Sequence, residues 1–196
     1  MVKIDNLIVQ YPNHNIAYPN TEFKTNKVTF ITGRNGVGKT SLLKAIGHLL
    51  PYQGKIESSG FVTYHFQEPV LFNRSVKDNI LYPVKIRKLD MNSYHDTMMQ
   101  YAKILHIDHL LDLPAKMLSS GEGMKVSLLR SIVFKPEVIM LDEPTTHLDL
   151  ESIDQLVHLI QTLKQTMTFI IVSHNKAFID ALCDHVYHLG GSHVHR

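Results

Sequence analysis

One stretch constrains this chain more than any other: Gly33-Arg34-Asn35-Gly36-Val37-Gly38-Lys39-Thr40, with Ser41 behind it. An apolar, β-prone run, Val28 to Thr32, precedes it, and Leu42, Leu43, Ala45, Ile46, Leu49 and Leu50 follow at helical spacing. Strand, glycine loop and helix in that order are the setting in which G-x-x-x-x-G-K-[ST] cradles a phosphate chain. Glycines at 33, 36 and 38 let the backbone turn sharply and aim successive N–H groups inward. A helix starting near Lys39 adds its positive end. The Lys39 ammonium can reach the β- and γ-phosphates, and the Thr40 hydroxyl can hold a Mg²⁺ ion. The loop therefore predicts nucleoside triphosphate binding. It does not say what the energy is used for.

Composition narrows the setting. At 196 residues the chain can bury one large core. A formal charge of +2 gives no bulk attraction to nucleic acid or anionic lipid. Cys183 is the only cysteine, which rules out an internal disulfide and fits a reducing, cytosolic setting. The N-terminus has no signal-type apolar core, because Lys3 and Asp5 interrupt it. No run of 18 apolar residues is present, so work at a membrane would need another chain to supply the membrane part. Four of the 13 histidines, His185, His188, His193 and His195, lie near the C-terminus and read as scattered surface residues, a metal tract being the alternative.

The periodicity alternates between strand and helix. It predicts a strand over 2–10, a polar, turn-rich stretch to about 26, a strand over 27–32, and a helix from Lys39 to near Pro51. A turn over 51–54, short strands at 55–57 and 61–66, and a helix over 75–81 capped by Ser75 with Asp78 follow. Further helices are expected at 92–107, 119–133, 150–164 and 175–183, with strands at 138–141, 168–172 and 186–189 and a Gly190-Gly191 hairpin. This is the pattern of an α/β protein with a mainly parallel sheet wrapped by helices, in one domain over 1–196 with a helical insert at about 70–133.

Two more elements carry chemistry. Val138 to Leu141 reads as a buried parallel strand and ends in Asp142-Glu143. A carboxylate at that strand tip suits a Mg²⁺ partner, and the next is placed to polarise an attacking water. Leu118-Ser119-Ser120-Gly121-Glu122 opens another helix, a second N-terminus suited to an anion. Two such sites on one chain suggest a ligand shared between two copies.

Taken together, these residues resemble the nucleotide-binding domain of an ATP-binding cassette (ABC) protein, from about residue 2 to residue 190. Gly33 to Thr40 is similar to the Walker A loop, and Phe66-Gln67-Glu68-Pro69 to the Q-loop. Leu118 to Glu122 resembles the signature usually written LSGGQ, and Asp142-Glu143 closes a Walker B-like strand. Thr146-His147-Leu148-Asp149 looks like the D-loop, and His174 matches the switch histidine. Tyr11, 22 residues before Gly33, sits where the family places an aromatic against adenine.

The resemblance implies ATP and Mg²⁺ as cofactors and a head-to-tail dimer, of two copies or with a paralogous ATPase. Each ATP would lie between one chain's residues 33–41 (Gly33, Arg34, Asn35, Gly36, Val37, Gly38, Lys39, Thr40 and Ser41) and the partner's signature. Ser119, Ser120, Gly121 and Glu122 would act across the interface, with Asp149 beside them. Catalysis would fall to Glu143 as base, with Lys39, Gln67 and His174 around the γ-phosphate. The metal would be held by Thr40, Gln67 and Asp142. Two departures stand out: Ser120 replaces a glycine, costing about 1–2 kcal/mol if that backbone is left-handed. Glu122 replaces a glutamine, and Gly123 behind it costs up to about 1 kcal/mol in a helix.

The function so implied is the ATPase subunit of a transporter whose integral-membrane permease is a separate chain, peripheral on the cytoplasmic membrane face, with no nucleic acid expected. The segment from Phe66 to Tyr82 resembles the part through which family ATPases meet a permease. Tyr82-Pro83-Val84-Lys85-Ile86-Arg87 looks importer-like, whereas Leu71-Phe72-Asn73-Arg74-Ser75-Val76 is also common in exporters. The alternative is a soluble ABC protein acting on ribosomes or nucleic acid, which residues 142–149 and 173–178 also resemble. Only 22 residues follow His174, so the expected C-terminal part is minimal.

Overall fold

The computed structural model describes residues 1–190. Two sheets organise it. In the antiparallel sheet, β1 (Val2–Tyr11) pairs along one edge with β2 (His14–Ala17) and β3 (Thr21–Phe23), and along the other with a later strand, β5 (Tyr52–Ser58). The second sheet is parallel. From one edge to the other it runs β6 (Val62–His65), β7 (Val138–Asp142), β8 (Thr168–Val172), β4 (Val28–Thr32) and β9 (His185–His188).

Side-chain alternation along the parallel strands builds two cores. Val28 and Phe30, Ile139 and Leu141, and Phe169 and Ile171 face one side. There they meet the apolar stripes of α2 (Val76–Ile80), α4 (Met91–Ile104), α5 (Ser120–Ile132), α6 (Leu150–Leu163) and α7 (Lys176–Leu182). Ile31, Val138, Met140, Ile170 and Val172 face the other side, against α1 (Lys39–Ile46) and Val2, Ile4 and Leu7 of β1. Burial on both faces explains why β7 is apolar without interruption up to its Asp142 tip and β8 from Phe169 to Val172. Truncating Phe30 or Phe169 to alanine there would cost about 3–5 kcal/mol.

Between β6 and β7 the chain makes α2, a short α3 (Tyr82–Ile86), α4 and α5. The expected cap holds: Ser75 Oγ accepts from Asp78 N. Asp90, Asp149 and Asn175 cap α4, α6 and α7 in the same way, each a contribution of about 1 kcal/mol.

Local geometry departs from the periodicity at four places. The stretch read as turn-rich contains β2 and β3, because Pro12-Asn13 is a two-residue hairpin that returns His14 opposite Tyr11. Residues 52–54 of the turn expected at 51–54 lie inside β5: the register slips opposite Asp5 to Ile8, and Gly54 takes φ 96° there against the Asn6 carbonyl. The first helix stops at Ile46 because Gly47 caps it and His48 turns left-handed at φ 55°. Finally, β9 is a parallel edge strand beside β4. The proposed hairpin needs Gly191, which, like His193 and His195, lies outside the described residues.

Candidate nucleotide site

The C-terminal ends of β4, β7 and β8 emerge side by side, and the loops after them meet in one cleft of about 590 Å³. That is where open α/β sheets present ligands. The glycine loop is the reason β4 can end there. Gly33, at φ 146°, passes so close to the Leu189 carbonyl that a Cβ would clash, and Gly38 adopts φ 102°. The buried Tyr18 hydroxyl donates to Gly38 O at 2.9 Å and fixes the loop from below. The left-handed Gly38 starts α1 with no side-chain cap. The first helical bond is Leu42 N to Gly38 O, so the amides of Gly38 to Ser41 remain for an anion, while Val37 N donates to Arg34 O within the loop.

Lys39 is 8% exposed and its ammonium donates to Gly33 O at 3.0 Å and Arg34 O at 3.2 Å. The cation is thus folded back over its own loop, and phosphate oxygens would offer it stronger, charged acceptors. Thr40 Oγ1 donates to Asp142 Oδ1 at 3.2 Å, and the Tyr64 hydroxyl donates to Asp142 Oδ2 at 2.7 Å. Burial and the Asp142 carboxylate push the Tyr64 phenol far above its usual range, so it stays a donor. A buried carboxylate, a hydroxyl and the amide oxygen of Gln67 at the same cleft are hard oxygen donors, the set that suits Mg²⁺.

Glu143 follows in left-handed backbone at φ 48°, a costly conformation for a glutamate. Its amide donates to Val172 O, holding the turn to the end of β8. The His174 amide donates to Glu143 Oε2 at 3.2 Å, and His174 Nε2 lies 3.4 Å from Oε1. Burial raises the Glu143 pKa above the ordinary glutamate value, with His174 opposing. A carboxylate whose pKa is raised in that way is a better proton acceptor than a free glutamate.

Tyr11, Asn35, Gly36, Gly38, Lys39, Thr40, Ser41, Gln67, Asp142, Glu143 and His174 therefore share one cleft. Gly33, Arg34 and Val37 shape the loop without lining it. Tyr11 is tied to Ser41 by a 2.8 Å hydroxyl contact, and its ring stacks on His14 at 4.9 Å. His14, Ile16 and Thr146 also line the cleft, and Tyr18 and Tyr64 brace it; Thr146 enters the sequence reading only as part of the D-loop-like stretch, and sequence reasoning missed the other four. Only His14 had a signal, the Pro12-Asn13 hairpin that puts it across from Tyr11.

Ser119, Ser120, Gly121, Glu122 and Asp149 are not part of this cleft. Asp149 caps α6, accepting from Ser152 N at 2.8 Å. The amide and hydroxyl of Ser119 both donate to Glu122 Oε2, at 2.8 and 2.7 Å, and Glu122 N returns a bond to Ser119 Oγ. These bonds hold the Glu122 carboxyl below its usual range. The α5 N-terminus is therefore not a free anion site within its own chain: its acceptor is built in. The strain expected at Ser120 does not arise, since its backbone is helical and not left-handed. Gly121 packs on the loop before Asp149, where a Cβ would come 3.1 Å from His147 O.

Of the four C-terminal histidines, His193 and His195 lie outside the described residues, and among the described residues no group of three or more metal-type ligands occurs. His188 instead contacts Thr32 Oγ1 through Nδ1 at 3.1 Å.

Fold and cleft together define a P-loop ATPase, and comparison with known proteins narrows the class. The family profile described as ABC transporter matches residues 18–146. The tungstate uptake system ATP-binding protein TupC of Peptoclostridium acidaminophilum is 34% identical over 183 residues, covering 88% of this chain and 86% of that protein. The solved structure of cbiO1 from Clostridium perfringens, described as part of the ABC transporter complex cbiONQ, matches with a TM-score of 0.80 at 27% identity. That match covers 96% of this chain and 84% of the other. The archaeal ribosome recycling factor aABCE1, solved with the stalk protein aP1, reaches 0.81 at 26% identity, but only 37% of that longer chain is covered. This chain belongs to the ABC transporter family, as an ATP-binding subunit that hydrolyses ATP.

Proposed function

We propose that this chain is the motor of an importer, a single ABC domain whose helical insert, about 70–133, faces a separate membrane-spanning permease. The observation that carries this reading is the split between its two phosphate-binding elements. The glycine loop, Asp142, Glu143 and His174 share one cleft, while Ser119 to Glu122 lies outside it. A second chain, turned head to tail, would bring its signature over the first chain's nucleotide. The uptake role in TupC's name favours import. The chain would work at the cytoplasmic face of the membrane, held there by the permease; among the described residues no helix is long and apolar enough to cross one.

In the closed pair, Lys39 and the amides of the loop hold the β- and γ-phosphates, and Tyr11 stacks on adenine for about 1–3 kcal/mol. Thr40, Asp142 and Gln67 would hold Mg²⁺, which neutralises charge on the phosphates when bound. Glu143 accepts a proton from the water that attacks the γ-phosphorus as the bond to the ADP oxygen breaks. His174 holds Glu143 in place and faces the γ-phosphate. Ser119 and the backbone around Ser120 and Gly121 stabilise that phosphate from the partner, with Glu122 displaced and Asp149 at the junction. Gln67 links the cleft to the permease.

Purification at native levels tests this. Recovery with an integral membrane protein is the expected result. Recovery on ribosomes, released by salt, would overturn it in favour of a soluble ribosomal role.

A further inference from the structure

Three hydroxyl groups, those of Tyr11, Ser41 and Tyr18, form a chain at the start of α1, and only the first two residues line the nucleotide cleft. Tyr11 ends β1 and Tyr18 follows β2, so the antiparallel sheet supplies both phenols. Ser41 belongs to the first turn of α1. The Tyr11 and Ser41 hydroxyl oxygens are 2.8 Å apart. Tyr18, 5% exposed, donates its proton to Gly38 O at 2.9 Å, and the Ser41 hydroxyl also bears on its phenol. Burial pushes that phenol well above its usual range, with Ser41 opposing, so Tyr18 remains a donor. His14 stacks on the Tyr11 ring with the planes 12° apart, so the ring is held at its face as well as at its hydroxyl.

Gly38 O takes two bonds, from the Tyr18 hydroxyl and from Leu42 N, each at 2.9 Å. Both of its lone pairs are then used. A peptide unit is planar and trans, so a carbonyl held toward Tyr18 turns the Lys39 N–H the opposite way, as an anion at the helix start requires. Residue 38 has to be glycine for this, since its φ is 102° and a Cβ would come 2.7 Å from the Tyr18 oxygen. Proton counting links this anchor to the other end of the chain. The Tyr18 proton is committed to Gly38 O, and Ser41 has a single proton to give. A phosphate oxygen is a charged acceptor and takes that proton in preference to a phenol. Ser41 then needs a donor in return, and the Tyr11 hydroxyl is within reach to be one.

We propose that Tyr18 is a positioning residue for the phosphate-binding loop, and that Tyr11, Ser41 and Tyr18 act as one hydroxyl chain that makes triphosphate affinity depend on the Tyr11 hydroxyl. The proposal rests on the nucleotide-site reading above and gives Tyr11 a second role, independent of stacking. A helix start whose amides are aimed in advance loses less on binding than one the ligand must order. The chain supplies that aim from the antiparallel sheet, outside the loop itself.

The test titrates the full chain calorimetrically with inorganic triphosphate and Mg²⁺, because inorganic triphosphate has no base to stack. Tyr11→Phe keeps the ring and Tyr18→Phe keeps the buried packing, so each removes a hydroxyl alone. Triphosphate should bind about threefold more weakly to Tyr11→Phe and about tenfold more weakly to Tyr18→Phe. The double variant should lose less than the product of the two single losses, because both cut the same chain. If Tyr18→Phe fails to fold, Tyr11→Phe and Ser41→Ala give the same cycle from two residues on the cleft. Triphosphate affinity unchanged by Tyr11→Phe, or losses that multiply in the double variant, would overturn the chain. Unchanged affinity in Tyr18→Phe would remove its positioning role. Lys39→Ala, run alongside, should weaken triphosphate binding about tenfold or more; if it does not, the nucleotide-site reading itself fails.

Discussion

Two helix N-termini, to which the proposed half-site gives the same chemical task, are built in opposite ways. At α1, a left-handed glycine starts the helix with no side-chain cap, leaving the first amides and Lys39 for an incoming phosphate. At α5, Ser119 and Glu122 form a closed capping box, so the hydroxyl and amide that would meet a partner's phosphate already hold a carboxylate. One end is an open receptor. The other is satisfied by itself and, in the proposed pair, would have to give up Glu122 to serve a second chain. On the proposed half-site, ATP binding to one chain and closure of two chains would be separable, with the second step carrying the cost of moving Glu122.

The largest expected effect sharpens the open half. Glu143→Gln should lower turnover by about 10²–10⁴-fold while leaving ATP affinity near wild type, measured by single-turnover hydrolysis beside equilibrium binding. Unchanged hydrolysis would remove Glu143 from the base role. The same residue predicts a pH signature. Its pKa is raised by burial, so activity should begin to fall at a higher pH than for an ordinary glutamate at about 4.3, as the base becomes protonated. The stability sign is opposite to that of a salt-bridged acid. As pH rises from the ordinary glutamate range through the raised pKa the unfolded chain ionises first and the fold loses stability, so Glu143→Gln should melt higher at neutral pH and lose that advantage in acid.

Next, Lys39→Ala removes a charged partner of the phosphates and should weaken ATP binding about 10- to 100-fold, read by titration with a fluorescent ATP analogue. Tyr11→Ala should weaken it about tenfold with little change in the chemical step; a large fall in kcat at saturating ATP would count against stacking. The smallest effect probes the closed half. Glu122→Gln keeps a capping side chain but removes the negative charge, and should strengthen ATP-dependent pairing a few-fold without changing ATP affinity of the single chain. Equal pairing with and without the charge would show that the capping box is no obstacle.

The open half was legible in the sequence because its demands are local. Gly33, Gly38 and Lys39 are read from one loop, and Asp142 from the end of one apolar strand. What escaped were groups brought in by long-range pairing, Tyr18 beneath Gly38 and Tyr64 on Asp142, together with His14, which the local Pro12-Asn13 hairpin sets against Tyr11. Nothing adjacent to Tyr64 announces that β6 will lie beside β7 and carry a phenol to the metal-type carboxylate. At α5 the residues were legible but their state was not. A serine followed three residues later by a glutamate reads equally as an anion grip and as a capping box, and only the observed Oε2 contacts decide for the box. The concern over Ser120 fell for a related reason, since the first position of a helix needs no left-handed backbone.

The most direct measurement is the mass in solution of the Glu143→Gln chain, by light scattering, with and without ATP and Mg²⁺. The half-site account predicts a single chain without nucleotide and a pair holding two ATP molecules with it, and loss of the pair on adding Ser119→Ala with ATP still bound. A fully ATP-loaded chain that stays single at high concentration, or a pair that forms as well without Ser119 as with it, would contradict it.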